Sequence, residues 1–262
     1  MLALCVAFPQ LLRPAVHPSG PRMSAAPAPA HKRAVLWDID GTLVDSTKLC
    51  YEATNEVLTQ HSSGAAVSLE QYKFGCRYTT PDRFNHHLGL PPGSAAGEEL
   101  GARFDAAYVD RVSAQTAGLF SGIGVLLRAI GLQGHPQGVL SNAAGAYVRA
   151  VIKANELDED AGRRISVFKV ALGADEVAAP KPAADGLLQC CEQCAVEPGL
   201  AVYVGDSPSD GKAAASAGMH SIGVTWGANP EASLREAFDV VVSSVPELTQ
   251  ELRAWSVGAP PS

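Results

Sequence analysis

The stretch AVLWDIDGTL, residues 34–43, decides the fold prediction for this chain. Its first four residues are apolar and predict a short buried strand. Asp38 and Asp40 follow at the point where that strand should end, and Gly41 lets the chain turn because it has no Cβ atom. In an open α/β sheet, ligands bind beyond the carboxyl ends of the strands. The stretch therefore places two carboxylates at a predicted binding site.

The spacing of Asp38 and Asp40 suits a nucleophile beside an acid–base group. Side chains two residues apart along an extended backbone lie on the same side. One carboxylate can attack phosphorus to give an aspartyl phosphate. The second can give a proton to the leaving oxygen or take one from water. The alternative is a polar Asp-Gly turn without chemistry, which is common between strands and loses weight once the other motifs are counted.

Two later segments add groups that suit an anion. The apolar run 137–140 predicts another strand, and Ser141 and Asn142 follow it at the start of a predicted helix. Free N–H groups and the helix dipole favour phosphate at such a place, although an ordinary helix cap would use the same residue types. Lys181 lies between two prolines that fix the backbone before a helix. Taken alone, a lysine in that position is usually a surface charge.

Asp206 and Asp210 follow a third apolar run, residues 200–204, and Gly205. The run predicts a strand with a turn after it. Carboxylates that cluster without a basic partner repel each other, and a hard divalent cation with oxygen ligands removes that repulsion. We expect Mg²⁺ here, since it also binds phosphate oxygens.

Together the four segments resemble the four motifs of the haloacid dehalogenase-like phosphatases, in the same order. Residues 38–43 read Asp-x-Asp-Gly-Thr-Leu, like motif I, and residues 205–210 read Gly-Asp-x-x-x-Asp, like motif IV. Ser141 resembles motif II, and Lys181 with the proline after it resembles motif III. The resemblance extends over about residues 34–252 of the chain.

The resemblance also implies a fold, and residues 221–227 look like the phosphoglycolate phosphatase-like subgroup. It implies an α/β core with a doubly wound parallel sheet of the Rossmann-like kind, and a small α-helical cap inserted after the first strand. Apolar runs separated by helical segments favour an α/β core independently. We predict the core at residues 34–46 and 117–252, the cap at residues 47–116, and a tail at residues 253–262.

The same resemblance implies roles for individual residues. Asp38 is the expected nucleophile, Asp40 the general acid and base, and Lys181 the cation that neutralises the phosphoryl group and the nucleophile. The expected Mg²⁺ site comprises four acidic residues: Asp38, Asp40 through its backbone carbonyl, Asp206 and, in support, Asp210. The expected phosphate-binding residues are Ser141, Asn142, Lys181 and Thr42.

Basic residues within the predicted cap are candidates for substrate binding. Arg77 is the first choice and Lys73 and Arg83 are next, because a cation there could bind an acidic substrate and Arg offers a fork of donors. The alternative for each of them is an ordinary solvated helix face.

Residues 1–33 differ in composition from the rest of the chain. They contain four basic and no acidic residues and are rich in Ala and Pro, which is typical of an organelle-targeting segment. A disordered tail is the alternative. We expect an intracellular protein, in a plastid or mitochondrion if the segment is a targeting signal and in the cytoplasm otherwise.

The six cysteines lack a disulfide-framework spacing, and three of them, Cys190, Cys191 and Cys194, fit the buried face of one helix.

Composition and motifs together predict an enzyme that acts on a small phosphorylated metabolite. A net charge of −7 argues against a general nucleic-acid surface, and no apolar run approaches the roughly 18 residues that span a bilayer, so we expect neither nucleic acid nor membrane as a partner. The resemblance implies hydrolysis of a phosphomonoester through an aspartyl phosphate, with 2-phosphoglycolate as the leading candidate. A phosphomutase of the β-phosphoglucomutase type and a non-catalytic regulatory protein are the alternatives, and the oligomeric state is open.

Overall fold

The computed structural model describes residues 33–61, 64–158 and 166–258. These residues contain eight strands: β1 Ala34–Trp37, β2 Val44–Asp45, β3 Gly118–Leu119, β4 Gln137–Leu140, β5 Val170–Leu172, β6 Ala201–Gly205, β7 His220–Val224 and β8 Val240–Val242. They also contain ten α-helices: α1 Thr47–Thr59, α2 Leu69–Gly75, α3 Thr80–His87, α4 Ala95–Val109, α5 Ile123–Leu132, α6 Gly145–Ala154, α7 Asp185–Cys194, α8 Pro208–Ala217, α9 Glu231–Arg235 and α10 Val245–Val257.

Six of the strands form one parallel sheet in the order β5-β4-β1-β6-β7-β8. β1 lies between β4 and β6 and pairs with both in parallel. The carboxyl ends of these three strands therefore meet at the same edge, and Asp38, Ser141 and Asp206 all follow there. Strands β2 and β3 form a separate antiparallel pair.

Side chains of β1 enter apolar clusters on both faces of the sheet. Val35 and Trp37 belong to a cluster that includes buried residues of α5, α6 and α10. Ala34 and Leu36 belong to a second cluster, with buried residues of α7 and α8. A parallel sheet covered on both faces needs such continuous apolar strands, and this arrangement confirms the predicted fold class. The predicted buried positions of Cys190, Cys191 and Cys194 are confirmed as well, since all three lie in the second cluster.

The segment between β2 and β3, residues 47–116, is called the helical insertion here. Its described residues form helices α1 to α4 and the loops between them. α3 and α4 pack against each other, and α1 packs on α4. Phe84 of α3 and Phe104 of α4 are both buried, with ring centroids 5.8 Å apart. The predicted helical character is therefore present, while the division of the chain into a core and a cap remains a prediction.

The structure extends the fold beyond the predicted boundaries at both ends. α10 continues to Val257, whereas the core was predicted to end at residue 252. Leu252 is the last fully buried residue of the helix, and the half-buried Trp255 packs against the same apolar cluster. Arg33, which was placed outside the fold, is 5% exposed and donates hydrogen bonds to the carbonyls of Trp255 and Gly258. Arginines near a helix C-terminus satisfy free carbonyl groups in this way. The targeting and disorder interpretations otherwise concern residues 1–32, which lie outside the described part.

Helices long and apolar enough to cross a membrane are absent from the described part of the chain.

Candidate active site

Asp38 occupies the first position after β1 and is only 6% exposed. Its backbone N–H donates to the carbonyl of Val204 in β6, at 2.9 Å, so that the sheet itself fixes the residue. Its side chain forms an ion pair with Lys181, with 2.7 Å between Oδ1 and Nζ. Burial raises the pKa of Asp38 to about 7 against the opposing effect of Lys181. The candidate nucleophile is thus a buried carboxylate that forms an ion pair with a cation.

Lys181 brings together groups from three parts of the core. Its Nζ donates to Asp38 and Asp210, at 2.7 and 2.6 Å, to the hydroxyl of Tyr203 at 3.0 Å and to the carbonyl of Leu140 at 3.2 Å. Although burial favours the neutral amine, the carboxylates of Asp210 and Asp38 hold the pKa of Lys181 well above its ordinary value. The side chain is therefore an ammonium group with its three protons directed at acceptors.

Three carboxylates converge beside this lysine. Oxygen atoms of Asp38, Asp206 and Asp210 all lie within 4.8 Å of one another. Burial raises the pKa of Asp206 well above its usual range, and the charges of Asp38 and Asp210 raise it further. A cluster of buried oxygen ligands with this repulsion suits a hard divalent cation.

Two glycines leave the space that Asp206 fills. A Cβ atom on Gly41 would lie 2.4 Å from Oδ2 of Asp206, and one on Gly227 would lie 2.0 Å from the same atom. Gly41 also has a φ of +76°, which disfavours other residues. The N–H of Ala228 donates to that oxygen at 2.7 Å. The backbone at Gly41 and Gly227 thus packs closely around Asp206. Glycine at position 41 therefore serves both the predicted turn and the close approach of Asp206.

Asp40 lies beside this cluster, and its carboxylate is not part of it. Its Oδ1 accepts hydrogen bonds from the hydroxyls of Ser46 and Tyr147, each at 2.5 Å. Burial raises the pKa of Asp40, although both hydroxyl groups act in the opposite direction. Asp40 lines the same cavity as Asp38.

The predicted phosphate-binding residues reach the site in different ways. Ser141 lines the cavity, and its Oγ accepts from the N–H of Ala143 at 3.0 Å. Asn142 also lines it, but its amide group exchanges two hydrogen bonds of 3.0 Å with the backbone of Lys181. The hydroxyl of Thr42 lies 3.4 Å from Oδ2 of Asp38 and outside the cavity lining. For Asn142 and Thr42 the structure therefore favours positioning of Lys181 and Asp38 over direct phosphate binding.

Of the three basic residues proposed in the insertion, Arg83 reaches the cavity. It is 8% exposed, lines the cavity with Asp38 and Asp40, and has no hydrogen-bond partner at Nε or Nη2 among the described residues. Arg77, the first choice, is exposed and instead donates to the carbonyl of Phe74 and lies over that ring. Lys73 is half-exposed and also outside the cavity lining. The structure therefore places Arg83 at the cavity and the first choice, Arg77, at the surface, and the role of each residue in substrate binding stays a prediction.

The cavity is partly open to solvent, and residues of the core and of the insertion line it together. Besides Arg83, it is lined by Asn229, whose buried Nδ2 also lacks a partner among the described residues. Buried donors are nearly always paired in native proteins. Three unpaired donor atoms on two side chains at the same cavity suit a bound group with acceptor atoms.

Comparison of the chain with known proteins identifies one family. The model of the haloacid dehalogenase-like hydrolase family matches residues 35–224. The phosphoglycolate phosphatase of Escherichia coli (strain K12) is 30% identical in an alignment 241 residues long that covers 84% of this chain and 92% of the relative. The chain belongs to the haloacid dehalogenase-like hydrolase family. The enzyme of Shigella dysenteriae with the same name shows the same identity and coverage. The chain shares their class, the phosphoric monoester hydrolases.

Solved structures agree on the fold of this hydrolase. A hydrolase from Pseudomonas syringae matches with a TM-score of 0.69 and 19% identity over 86% of this chain and 99% of that one. CbbY from Rhodobacter sphaeroides, solved in complex with phosphate, matches with a TM-score of 0.69 and 23% identity, over 83% and 96% of the two chains. A mutant of CbbY was solved with xylulose-1,5-bisphosphate and has a TM-score of 0.66 and 22% identity over the same shares.

Several residues of the hydrolase site were missed in the sequence, Asn229 among them. Tyr203 interrupts the apolar run of β6 with a hydroxyl group, which is a usable signal for a buried polar contact. Ser46 and Tyr147 carry no comparable signal, since they lie 6 and 107 residues from Asp40 and belong to no motif.

Proposed function

We propose that the chain is a Mg²⁺-dependent phosphatase that hydrolyses a small phosphomonoester through an aspartyl phosphate on Asp38, with 2-phosphoglycolate as the leading substrate. One observation carries this proposal. A buried carboxylate, Asp38, is paired with a buried ammonium group, Lys181, and both line a cavity with Arg83, whose Nε and Nη2 have no hydrogen-bond partner among the described residues. A phosphoryl group would meet the nucleophile and a cation together, and a second anion would meet Arg83.

The acidic residues fit a magnesium site. Asp38 and Asp206 would hold the ion through their carboxylates, and Asp40 through its backbone carbonyl. Asp210 has both oxygens engaged, one with Lys181 and the other with the N–H of Ser207 at 2.9 Å, so its main task is to orient the lysine. When bound, Mg²⁺ supplies positive charge to the phosphoryl oxygens.

The residues of the site can carry both steps of hydrolysis. A carboxylate oxygen of Asp38 forms a bond to phosphorus as the bond from phosphorus to the leaving oxygen breaks, and the leaving oxygen takes its electron pair and a proton from Asp40. A water oxygen then bonds to phosphorus, the bond from Asp38 to phosphorus breaks, and Asp40 takes a proton from the water. Lys181 and the hydroxyl and N–H groups near Ser141 stabilise the charge on the phosphoryl oxygens.

Arg83 supports a substrate with a second anionic group. Phosphoglycolate carries a carboxylate, and the bisphosphate solved with the CbbY mutant carries a second phosphate. A guanidinium fork binds either one through two parallel hydrogen bonds. Because Arg83 belongs to α3 and Asp38 follows β1, a substrate that spans the two would hold the helical insertion over the core. This is the role that we propose for the insertion as a cap.

A phosphate-release assay tests the proposal. Full-length chain is incubated with 2-phosphoglycolate, xylulose-1,5-bisphosphate and glucose 1-phosphate, with Mg²⁺ and again after chelation. We expect release from phosphoglycolate that needs Mg²⁺ and disappears in Asp38→Asn but persists in Asp45→Asn, a matched change at an exposed acid of the next strand. Preference for the bisphosphate would change the substrate within the same mechanism. Conversion of glucose 1-phosphate to its 6-phosphate without hydrolysis, or activity in Asp38→Asn, would contradict the proposal.

A further inference from the structure

The carboxylate of Asp40 has one occupied oxygen and one free oxygen. Oδ1 accepts hydrogen bonds from both Ser46 and Tyr147, each at 2.5 Å. Oδ2 has no hydrogen-bond partner within residues 33–61, 64–158 and 166–258, and the residue lines the active-site cavity. The two oxygens are therefore not equivalent.

We propose that Tyr147 is a positioning residue that holds Asp40 so that Oδ2 faces the substrate and handles the proton. The inference rests on the proposed role of Asp40 as general acid and base. An oxygen that already accepts two hydroxyl hydrogens is a poor site for a third proton, because protonation there would displace at least one of them. The proton of the acid form is consequently placed on Oδ2.

Tyr147 is well placed to fix this orientation. It lies in the first turn of α6 in the core, and its side chain is fully buried. Its ring stacks on that of Tyr108, with 4.3 Å between centroids, so the ring has little freedom to turn away. Ser46 approaches from a different element, directly before α1. Rotation of the Asp40 carboxyl group would break hydrogen bonds to two separate parts of the fold.

The consequence differs between substrates. When the bond from phosphorus to the leaving oxygen breaks, the electron pair remains on that oxygen, and an alkoxide such as that of glycolate needs the proton of Asp40 at once. Nitrophenolate is a stable anion and leaves without one. Misplacing the proton therefore slows the first step for an alkyl phosphate and leaves it nearly unchanged for an aryl phosphate.

Tyr147→Phe tests the inference, since it keeps the stacked ring and removes the hydroxyl group. We expect kcat/KM for 2-phosphoglycolate to fall by about tenfold or more while that for p-nitrophenyl phosphate stays within about twofold. The ratio of the two values does not depend on how much of the variant is folded. Tyr51→Phe is the control, because its hydroxyl donates to the carbonyl of Val67 at 3.2 Å, away from Asp40, and its removal should leave the ratio unchanged.

Equal losses on both substrates would show that Tyr147 is merely structural, and no loss on either substrate would show that its hydrogen bond does not orient Asp40. Either result overturns the inference. Asp40→Asn separates this failure from a failure of the proposed function. If Asp40→Asn changes the substrate ratio and Tyr147→Phe does not, the acid–base role stands and the positioning role falls. If Asp40→Asn leaves the ratio unchanged, the acid–base role falls and the positioning role falls with it.

Discussion

Lys181 determines the charge balance of the buried site. It is the ammonium group between the carboxylates of Asp38 and Asp210, and all three side chains are almost fully buried. A buried ion pair contributes little net stability, but removing one partner leaves an uncompensated charge. Two hydrogen bonds join the amide group of Asn142, which follows β4, to the backbone of Lys181, 39 residues later in the chain, and hold the lysine in place. The site is therefore fixed by contacts that no single motif contains.

Arg83 is expected to control the choice of substrate. Arg83→Met should lower kcat/KM for 2-phosphoglycolate roughly 10- to 150-fold, since the loss of a charge-assisted hydrogen bond costs about 1.5–3 kcal/mol. The value for p-nitrophenyl phosphate, which has no second anion, should change much less. Arg77→Met is the matched control, because Arg77 lies outside the cavity lining. Steady-state kinetics on both substrates decide the point, and a selective loss in Arg77→Met instead would return the role to that residue.

The sequence could rank these arginines only by type. Both are arginines of the insertion, although Arg77 follows α2 and Arg83 lies within α3. What separates them is whether the side chain packs inward or lies at the surface. Arg83 packs with its Cζ 4.7 Å from the ring centroid of Phe104 on α4, and Arg77 lies over its own neighbour Phe74 at the surface. That difference depends on tertiary packing of α3 on α4, which local periodicity in so short a helix does not define.

The turn after β1 is the element that combines fold and chemistry. It must bend sharply after Asp38, and it must also leave room for Asp206 from the next strand of the sheet. Glycine alone meets both conditions at position 41, because its φ of +76° is accessible without strain and it has no Cβ. The motif could be recognised in the sequence because the acidic residues and the turn glycine lie within four consecutive positions, 38–41.

Gly41→Ala should therefore cost more than backbone strain. A left-handed conformation costs an alanine about 1–2 kcal/mol, and the new methyl group would in addition displace Asp206. Gly89→Ala provides the comparison, because Gly89 has a φ of +68° and open space around its Cβ position. We expect both variants to lose thermal stability, but only Gly41→Ala to lose phosphatase activity. Full activity in Gly41→Ala would show that the close approach to Asp206 is not needed.

Across the whole molecule, the strands before Asp38, Ser141 and Asp206 could be anticipated from the sequence, and the contacts that join distant parts could not. Apolar runs such as 200–204 and the polar residues after them are local signals. The pairing of Tyr147 with Asp40 and of Arg33 with the end of α10 spans 107 and more than 200 residues, respectively. Such contacts depend on how the helices and strands pack in three dimensions, and local sequence patterns do not predict them.

Arg33 is expected to stabilise the fold because it joins the residue before β1 to the end of α10. Arg33→Ala should lower the free energy of unfolding by about 1.5–3 kcal/mol, because charged hydrogen bonds to the carbonyls of Trp255 and Gly258 are lost. Arg253→Ala, at an exposed position of the same helix, should change it by no more than about 0.5 kcal/mol. Urea denaturation of the full chain measures both. Equal effects would mean that the contacts of Arg33 contribute nothing specific.

The most direct test of the proposed mechanism is to detect a phosphoryl group on Asp38. Asp40→Asn should slow hydrolysis of the intermediate, so that 2-phosphoglycolate with Mg²⁺ leaves the variant heavier by one phosphoryl group in intact-mass spectrometry. Peptide mapping should place that group on Asp38, and Asp38→Asn should abolish it. A phosphoryl group on any other residue, or turnover of phosphoglycolate by Asp38→Asn, would contradict the assignment of Asp38 as the nucleophile.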